Sequence, residues 1–383
     1  MKKVKLKTIV CLNLLVAGIL FSACKPASKT EVEASGSFGD ISAVELAGNI
    51  KIGWNLGNTL DTTDLFWLAR NASVRQFETA WGNPVTTKEM LDAVWNAGFN
   101  AVRIPVSWAK CADGNYAIRG DWMDRVRQVV DYAVSCGMYV IINSHHDDDI
   151  FGLLDTEMEE SKLAIKRIWE QIAETFRDYD EKLIFEGMNE PRTKGSPNEW
   201  NGGTAEERAN LNVLNQLFVD TVRASGGNNV ARVLMIPSYA ASSTAAAMEA
   251  VVIPEDPLNA VNKIIVSIHA YEPYNFSLNE NSPVAAWSAA NPSDTSPIIE
   301  RIGRAFNLFV SRGFPVIMGE FGALDKGNED ARAEWAEYYV RYAKSRGIKC
   351  FWWDNGGEFR LFDRRSNALV FPRIVEALMG GAE

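Results

Sequence analysis

The chain has 383 residues, a formal charge of -10 and 47% hydrophobic side chains. It lacks the basic footprint that nucleic-acid binding needs, and its apolar share suits a sizeable buried core. Beyond the N-terminal segment the cysteines are Cys111, Cys136 and Cys350, an odd and sparse set that excludes a disulfide framework and reads as buried free thiols.

Residues 1–23 read as a signal peptide. Lys2, Lys3, Lys5 and Lys7 precede an apolar stretch from Ile9 to Leu20, and the small residues Ser22 and Ala23 follow. Ser22 and Ala23 directly before Cys24 resemble a bacterial lipobox, whose cysteine is diacylated and becomes the mature N-terminus, although Phe21 stands where leucine is usual. Ordinary secretion with cleavage near Ala23 is the alternative. Residues 24–40, rich in Ser, Glu, Ala and Gly, read as a flexible tether, which leaves 41–383 for one large domain.

From Ile52 onward, short apolar runs alternate with segments of helical period, the pattern of βα units around a parallel sheet. The predicted strands begin near Ile52, Ala101, Tyr139, Leu183, Val233, Ile264, Val316 and Cys350. Between them, Trp122, Val126, Val129, Val130 and Ala133 form one helical stripe, and Ile165, Ile168, Trp169, Ile172 and Phe176 the next. Leu211, Leu214, Leu217, Phe218 and Val222 form a third, and Ile298, Ile302, Ala305, Phe306 and Phe309 a fourth. Trp335, Tyr338, Tyr339 and Tyr342 complete the set. The fifth helix, placed over Ala240 to Val252, has the poorest pattern, so a doubly wound sheet stands beside the (β/α)8 TIM barrel as an alternative.

Two of the predicted strands end in glutamates: Leu183-Ile-Phe-Glu-Gly-Met-Asn-Glu190 and Val316-Ile-Met-Gly-Glu320. In such a barrel the catalytic groups sit at the C-terminal ends of the strands, so these carboxyls meet across one pocket, as glycoside hydrolysis requires. All three histidines, His145, His146 and His269, fall at predicted strand ends, and Arg103 ends the second strand as a candidate partner for a carboxylate. The run His145 to Asp149 invites a metal reading. Neighbouring strand residues point to opposite faces, however, so the run cannot converge on one ion, and the three aspartates read as a solvated loop or a peripheral cation contact. Trp352 and Trp353 follow the eighth strand directly, where flat rings suit the apolar faces of sugars, with Trp352 on the other face from Trp353 if the strand period persists; Trp54 and Trp108 lie where the same use is open to them, although most of the tryptophans read as core. Glu186 reads as a buried structural carboxylate with a cationic partner, whereas Asp354 and Glu358 are candidates for lining the cleft.

Seven motifs in order, Gly53-Trp-Asn-Leu-Gly-Asn-Thr-Leu-Asp61, Asn100-Ala-Val-Arg-Ile-Pro105, His145-His146, Asn189-Glu190-Pro191, His269-Ala-Tyr271, Gly319-Glu320-Phe321 and Phe351-Trp-Trp-Asp-Asn-Gly356, resemble glycoside hydrolase family 5 of clan A. The first and last are most similar to subfamily 4, a group of endo-β-1,4-glucanases. The resemblance implies a retaining mechanism with Glu190 as acid/base and Glu320 as nucleophile, and neither cofactor nor metal. Arg103 and Tyr271 would hydrogen-bond Glu320 and keep it ionised, and its charge would raise the pKa of Glu190. Asn189 would reach the sugar 2-hydroxyl. His145, His269 and Asn55 would support the site, His146 would contact sugar on the non-reducing side, and Trp353 would lie under the cleaved residue. The expected partner is a β-glucan, with a membrane contacted only through the lipid anchor and the enzyme otherwise a monomer. Xyloglucan, mixed-linkage glucan or mannan as substrate, and a surface glycan-binding lipoprotein without turnover, are the alternatives.

Overall fold

The computed structural model describes residues 38–256 and 262–383. The expected signal peptide, Cys24 and most of the tether lie outside the described residues. The last residues of the expected tether belong with the barrel instead: Gly39 N–H donates to Glu181 at 2.8 Å, and Asp40 pairs with Lys263.

Eight parallel strands close on themselves in sequence order. They are β1 (Gly53–Leu56), β2 (Ala101–Ile104), β3 (Tyr139–Asn143), β4 (Leu183–Glu186), β5 (Leu234–Ser242), β6 (Ile264–His269), β7 (Val316–Phe321) and β8 (Lys349–Asp354). Each begins within one residue of its predicted start. Closure is made by β1 against β8, with Gly53 opposite Phe351 and Asn55 opposite Trp353, and it rules out the doubly wound alternative. A Cβ on Gly53 would sit 2.1 Å from the Phe351 ring, so this seam requires glycine.

The predicted stripes are the buried faces of the helices Gly120–Ser135, Met158–Thr175, Ala205–Ala224, Pro292–Leu308 and Glu329–Ser345. Their ends are chemically defined: Thr204 and Glu207 form a reciprocal capping box at the start of Ala205–Ala224. The fifth unit departs from expectation. β5 runs on to Ser242 with Ala240 and Ala241 at φ 51° and 44°, and the helix after it spans only Ala245–Glu249. Two alanines in the left-handed region cost about 1–2 kcal/mol each. The compensation is tertiary, because Ala240 N–H donates to Pro191 O at 3.0 Å, immediately behind Glu190.

The barrel floor is closed by a helix that the strand pattern did not suggest, Ala43–Asn49, capped by the Ser42 hydroxyl on Glu45 N–H. Its Ala43 and Leu46, with Ile50, pack on Ala101, Ile141, Ile184, Met235, Ile265, Ile317 and Phe351, which point inward from the strands. At the other end of the chain a small antiparallel pair, β9 (Phe362–Asp363) with β10 (Ala368–Leu369), precedes the helix Pro372–Ala382.

Candidate active site

Two residues beyond the floor layer, the inward positions change character. Ala101 is followed by Arg103, Ile141 by Asn143, Ile184 by Glu186 and Ile265 by Ser267, all on the same face of their strands by the two-residue period. Arg103 is fully buried and is the hub. Its Nε donates to Glu186 at 2.7 Å, Nη1 to Glu320 at 2.8 Å and Asn55 at 3.1 Å, and Nη2 to Asn189 at 2.7 Å. Burial alone would lower the guanidinium pKa, but the charges of Glu186 and Glu320 hold it above its ordinary value. Glu186 also accepts from Ser267 at 2.7 Å and Asn143 at 3.1 Å, the structural role expected of it. Asn55 donates to Gly319 O at 2.9 Å, so it fixes the strand bearing the nucleophile candidate and is itself fully buried.

Glu320 receives Arg103 on Oε1 and the Tyr271 hydroxyl on Oε2 at 2.9 Å, the two partners expected. Glu190 stands opposite on the loop after β4, its side chain 19% exposed against 7% for Glu320. His269 joins them, with Nδ1 2.8 Å from Glu190 Oε1 and 3.7 Å from Glu320 Oε2. One carboxylate oxygen of each glutamate and a ring nitrogen of His269 all lie within 4.8 Å of one another. Gly319 allows this approach, since a Cβ there would press on His269 Nε2 at 3.0 Å.

The protonation of Glu190 differs from the expectation that Glu320 raises it. Burial pushes the carboxyl up, but the hydrogen bond and charge of His269, followed by Arg192 and His146, outweigh burial and hold it below its ordinary value. His269 moves the other way: burial lowers it, and Glu320 and Glu190 more than restore it, so the ring lies above the usual imidazole value. The carboxyl and the ring thus shift each other in opposite directions across the Nδ1 to Oε1 contact. Counting Glu320 alone omitted this partner.

Asn189 N–H donates to Ser144 O, and its side-chain oxygen accepts from Arg103, which turns the donor end of the amide away from the guanidinium. His145 Nδ1 accepts from Asn143 at 3.1 Å, placing the proton of the neutral ring on Nε2. Burial, then the nearby positive charges, hold His145 well below its ordinary value. Its ring lies parallel to Trp353 at 5.7 Å, His146 packs edge-on at 4.5 Å, and Trp81 lies beyond His146 at 5.7 Å. The rings form a continuous row from the glutamates outward. Trp81 was not foreseen, because it lies on a loop and belongs to no motif.

Several sequence expectations require correction. Trp54 and Trp108 are fully buried, donating to Asp354 and to Asn143 O, so neither is a sugar platform. Trp352 lies on the face opposite Trp353, as the strand period led one to expect: it is core, bonded to Phe359 O and packed on Phe321 and Trp335. Asp354 does not line the cleft: it is buried and held by Arg364 at 2.9 Å, while Glu358 is exposed and receives Asn355 at 3.2 Å. The aspartate run is not a solvated loop. Asp147 accepts from Trp108 and Ala109 N–H and from Ser144, Asp148 is buried beside Arg192, and Asp149 alone is exposed. Asp61, which lies near His145 and His146, is likewise engaged by Asn58 and Thr59 N–H.

A closed (β/α)8 barrel with two glutamates facing each other at its C-terminal mouth, beside a row of aromatic rings, defines a glycoside hydrolase. The profile of the cellulase family (glycosyl hydrolase family 5) matches residues 67–359. Endoglucanase A of Ruminococcus albus is 44% identical over 92% of this chain and 96% of its own length, and Endoglucanase A of Clostridium longisporum is 41% identical over 100% and 73%. Among solved structures, a GH5-4 broad specificity endoglucanase from Ruminococcus champanellensis with bound cellotriose superposes with a TM-score of 0.86 at 45% identity, covering 90% of this chain and 100% of that one. A family 5 lichenase from Caldicellulosiruptor in complex with cellotetraose gives 0.85 at 44%, covering 94% and 99%. The chain belongs to glycosyl hydrolase family 5.

Proposed function

We propose that the protein is a retaining endo-β-1,4-glucanase with Glu320 as nucleophile and Glu190 as acid/base. The observation that carries this reading is the approach of the two carboxyls: oxygens within 4.8 Å suit double displacement, with its spacing of about 5–5.5 Å, and leave no room for the water an inverting enzyme activates. Glu320, held by Arg103 and Tyr271, attacks the anomeric carbon. The proton shared by Glu190 and His269 passes to the leaving oxygen as the glycosidic bond breaks. Glycosylation removes the Glu320 charge, and Glu190, now a carboxylate beside Arg192, takes the proton of the water that releases the sugar. Asn189 contacts the 2-hydroxyl, where hydrogen bonding strengthens in the oxocarbenium-like transition state. Trp353 and the histidine row supply the floor beneath successive rings. The names of the relatives support a β-1,4-glucan as substrate, and the intact carboxyl pair argues against a barrel that only captures glycan.

Reducing-sugar release by residues 37–383 on carboxymethyl-cellulose, lichenan, xyloglucan and galactomannan tests this, with Glu320→Gln as control. Release from the first two with a silent variant is expected. Activity restricted to galactomannan would overturn the glucanase assignment, and binding without hydrolysis of any polymer would overturn the enzymatic one.

The same reading places the enzyme outside the inner membrane, a monomer held by a diacylated Cys24. Metabolic labelling with a fatty acid is expected to mark the wild type and not Cys24→Ala, and equal labelling would sink the anchor. Elution from a sizing column at the mass of a dimer would overturn the monomer.

A further inference from the structure

The aspartate run after β3 takes no part in the reaction as described, yet one of its members reaches the acid/base through a single guanidinium. The buried Asp148 carboxylate lies 3.3 Å from Arg192 Nη1 and 3.5 Å from Lys194 Nζ. Arg192 Nη1 also donates to the backbone oxygen of Glu190 at 2.8 Å and lies 3.8 Å from Glu190 Oε2. Its Nε donates to Glu199 at 3.1 Å, and its plane lies 4.5 Å from the Trp200 ring. The guanidinium is thus fixed against the acid/base and shared between carboxylates on two loops, Glu190 after β4 and Asp148 after β3.

A cation this close favours the ionised form of Glu190, and a second anion drawing on the same cation weakens that effect. Burial pushes the Asp148 carboxyl up to about 7, against the pull of Arg192 and Lys194, so its charge develops across neutral pH and is complete on the alkaline side. We propose that Asp148 and Arg192 are positioning residues that set the alkaline limit of catalysis. Arg192 promotes loss of the proton from the Glu190–His269 pair, and ionised Asp148, by engaging the same guanidinium, retains that proton to higher pH. The inference rests on Glu190 being the acid/base. The other charged or titratable groups facing Glu190 are His269 and Tyr271 from β6 and its loop, Glu320 from β7, and His146 from the loop after β3, while Lys194 on its own loop faces Asp148 and Asp149. All of them are kept in the variants below.

The test is the pH dependence of kcat/KM on cellotetraose, whose leaving group needs the acid, for wild type, Arg192→Gln, Arg192→Lys and Asp148→Asn, with thermal melts alongside. The alkaline limb is expected to move up by about one pH unit in Arg192→Gln, to stay in place in Arg192→Lys, and to move down by about half a unit in Asp148→Asn. A purely structural role would lower the rate or the melting temperature and leave the limb where it is. Unmoved limbs, or shifts of the same sign in Arg192→Gln and Asp148→Asn, overturn the proposal. If Asp148→Asn does not fold, the Gln and Lys variants of Arg192 decide. Glu190→Ala on a dinitrophenyl cellobioside, with and without azide, tests the premise separately. A glycosyl azide product supports Glu190 as acid/base even where the limbs fail to move, whereas wild-type hydrolysis of cellotetraose by this variant would remove the premise itself.

Discussion

The floor and the mouth of the barrel stand on the same strands and are buried to the same degree, yet they are made of opposite chemistry. Ile141, Ile184 and Ile265 at the floor are fully buried, and so are Asn143, Glu186 and Ser267 two positions later. Exposure therefore does not explain why one layer is apolar and the next polar. The floor layer stabilises by removing hydrocarbon from water, roughly 1.5–3 kcal/mol for each large side chain. The mouth layer gains little net stability, because desolvating Arg103, Glu186 and Glu320 costs about what their attraction returns. What it provides is geometry. Arg103 uses its donors on four different residues, Glu320 of the glutamate pair among them, and so fixes Glu186, Asn55 and Asn189 around it.

The two layers are therefore expected to respond differently to substitution. Glu320→Gln is expected to lower kcat about 10⁴-fold or more, with the melting temperature within a few degrees of wild type; comparable turnover on lichenan would refute the division at its centre. Arg103→Leu strands two buried carboxylates and is expected to cost about 3–5 kcal/mol in urea unfolding, with loss of activity as well. An unchanged unfolding midpoint would show that Glu186 and Glu320 do not depend on it. At the floor, Ile184→Ala is expected to cost about 2–4 kcal/mol of stability while kcat at 25 °C stays within twofold of wild type. A kcat that falls in step with stability would mean that the layers are coupled.

The smallest effect concerns acid. His146 is held down to about 4, chiefly by burial, against an ordinary value of 6.5. Between those values the unfolded chain binds more protons, so the contribution of neutral His146 is whole above about 6.5 and is lost as pH falls towards 4. Asp148, raised to about 7, acts with the opposite sign over part of this range but is present in both proteins compared. The unfolding midpoint of His146→Gln is therefore expected to fall less than that of wild type between pH 6.5 and 4.5, and parallel curves would show that His146 titrates normally.

Much of this was legible before the fold was known, for reasons that differ by residue. Strand starts were readable to within one residue because β3 and its neighbours are buried on both faces, which leaves continuous apolar runs bounded by polar loops. Glu320, Arg103 and His269 were legible as strand-end residues, and Glu190, His145 and His146 as residues of the loops that follow strands at the same face, since these positions follow from barrel topology. The extension of β5 through Ala240 and Ala241 was not, because nothing local favours left-handed alanines; the hydrogen bond to Pro191 does. The helix Ala43–Asn49 escaped notice because it is short, and its apolar face is explained only by the floor it covers. Trp54 and Trp353 are both tryptophans on inner-sheet strands, and sequence could not say that the first is sealed behind Arg364 while the second lies against His145.

By itself the sequence determined the alternation of strand and helix, the two-residue period that sets apolar and polar layers inside the strands, and the placing of one glutamate at the end of β7 and another just beyond β4. These are local properties, written in spacing and residue type along a single run of chain. The tertiary structure alone decided which charges meet. Glu190 meets His269, Oε1 to Nδ1 at 2.8 Å, because barrel closure brings the loop after β4 to face the end of β6, and Asp148 reaches Arg192 because the loops after β3 and β4 pack together. A pKa depends on distances between groups far apart in sequence and on the water excluded around them, and neither is encoded in any one segment.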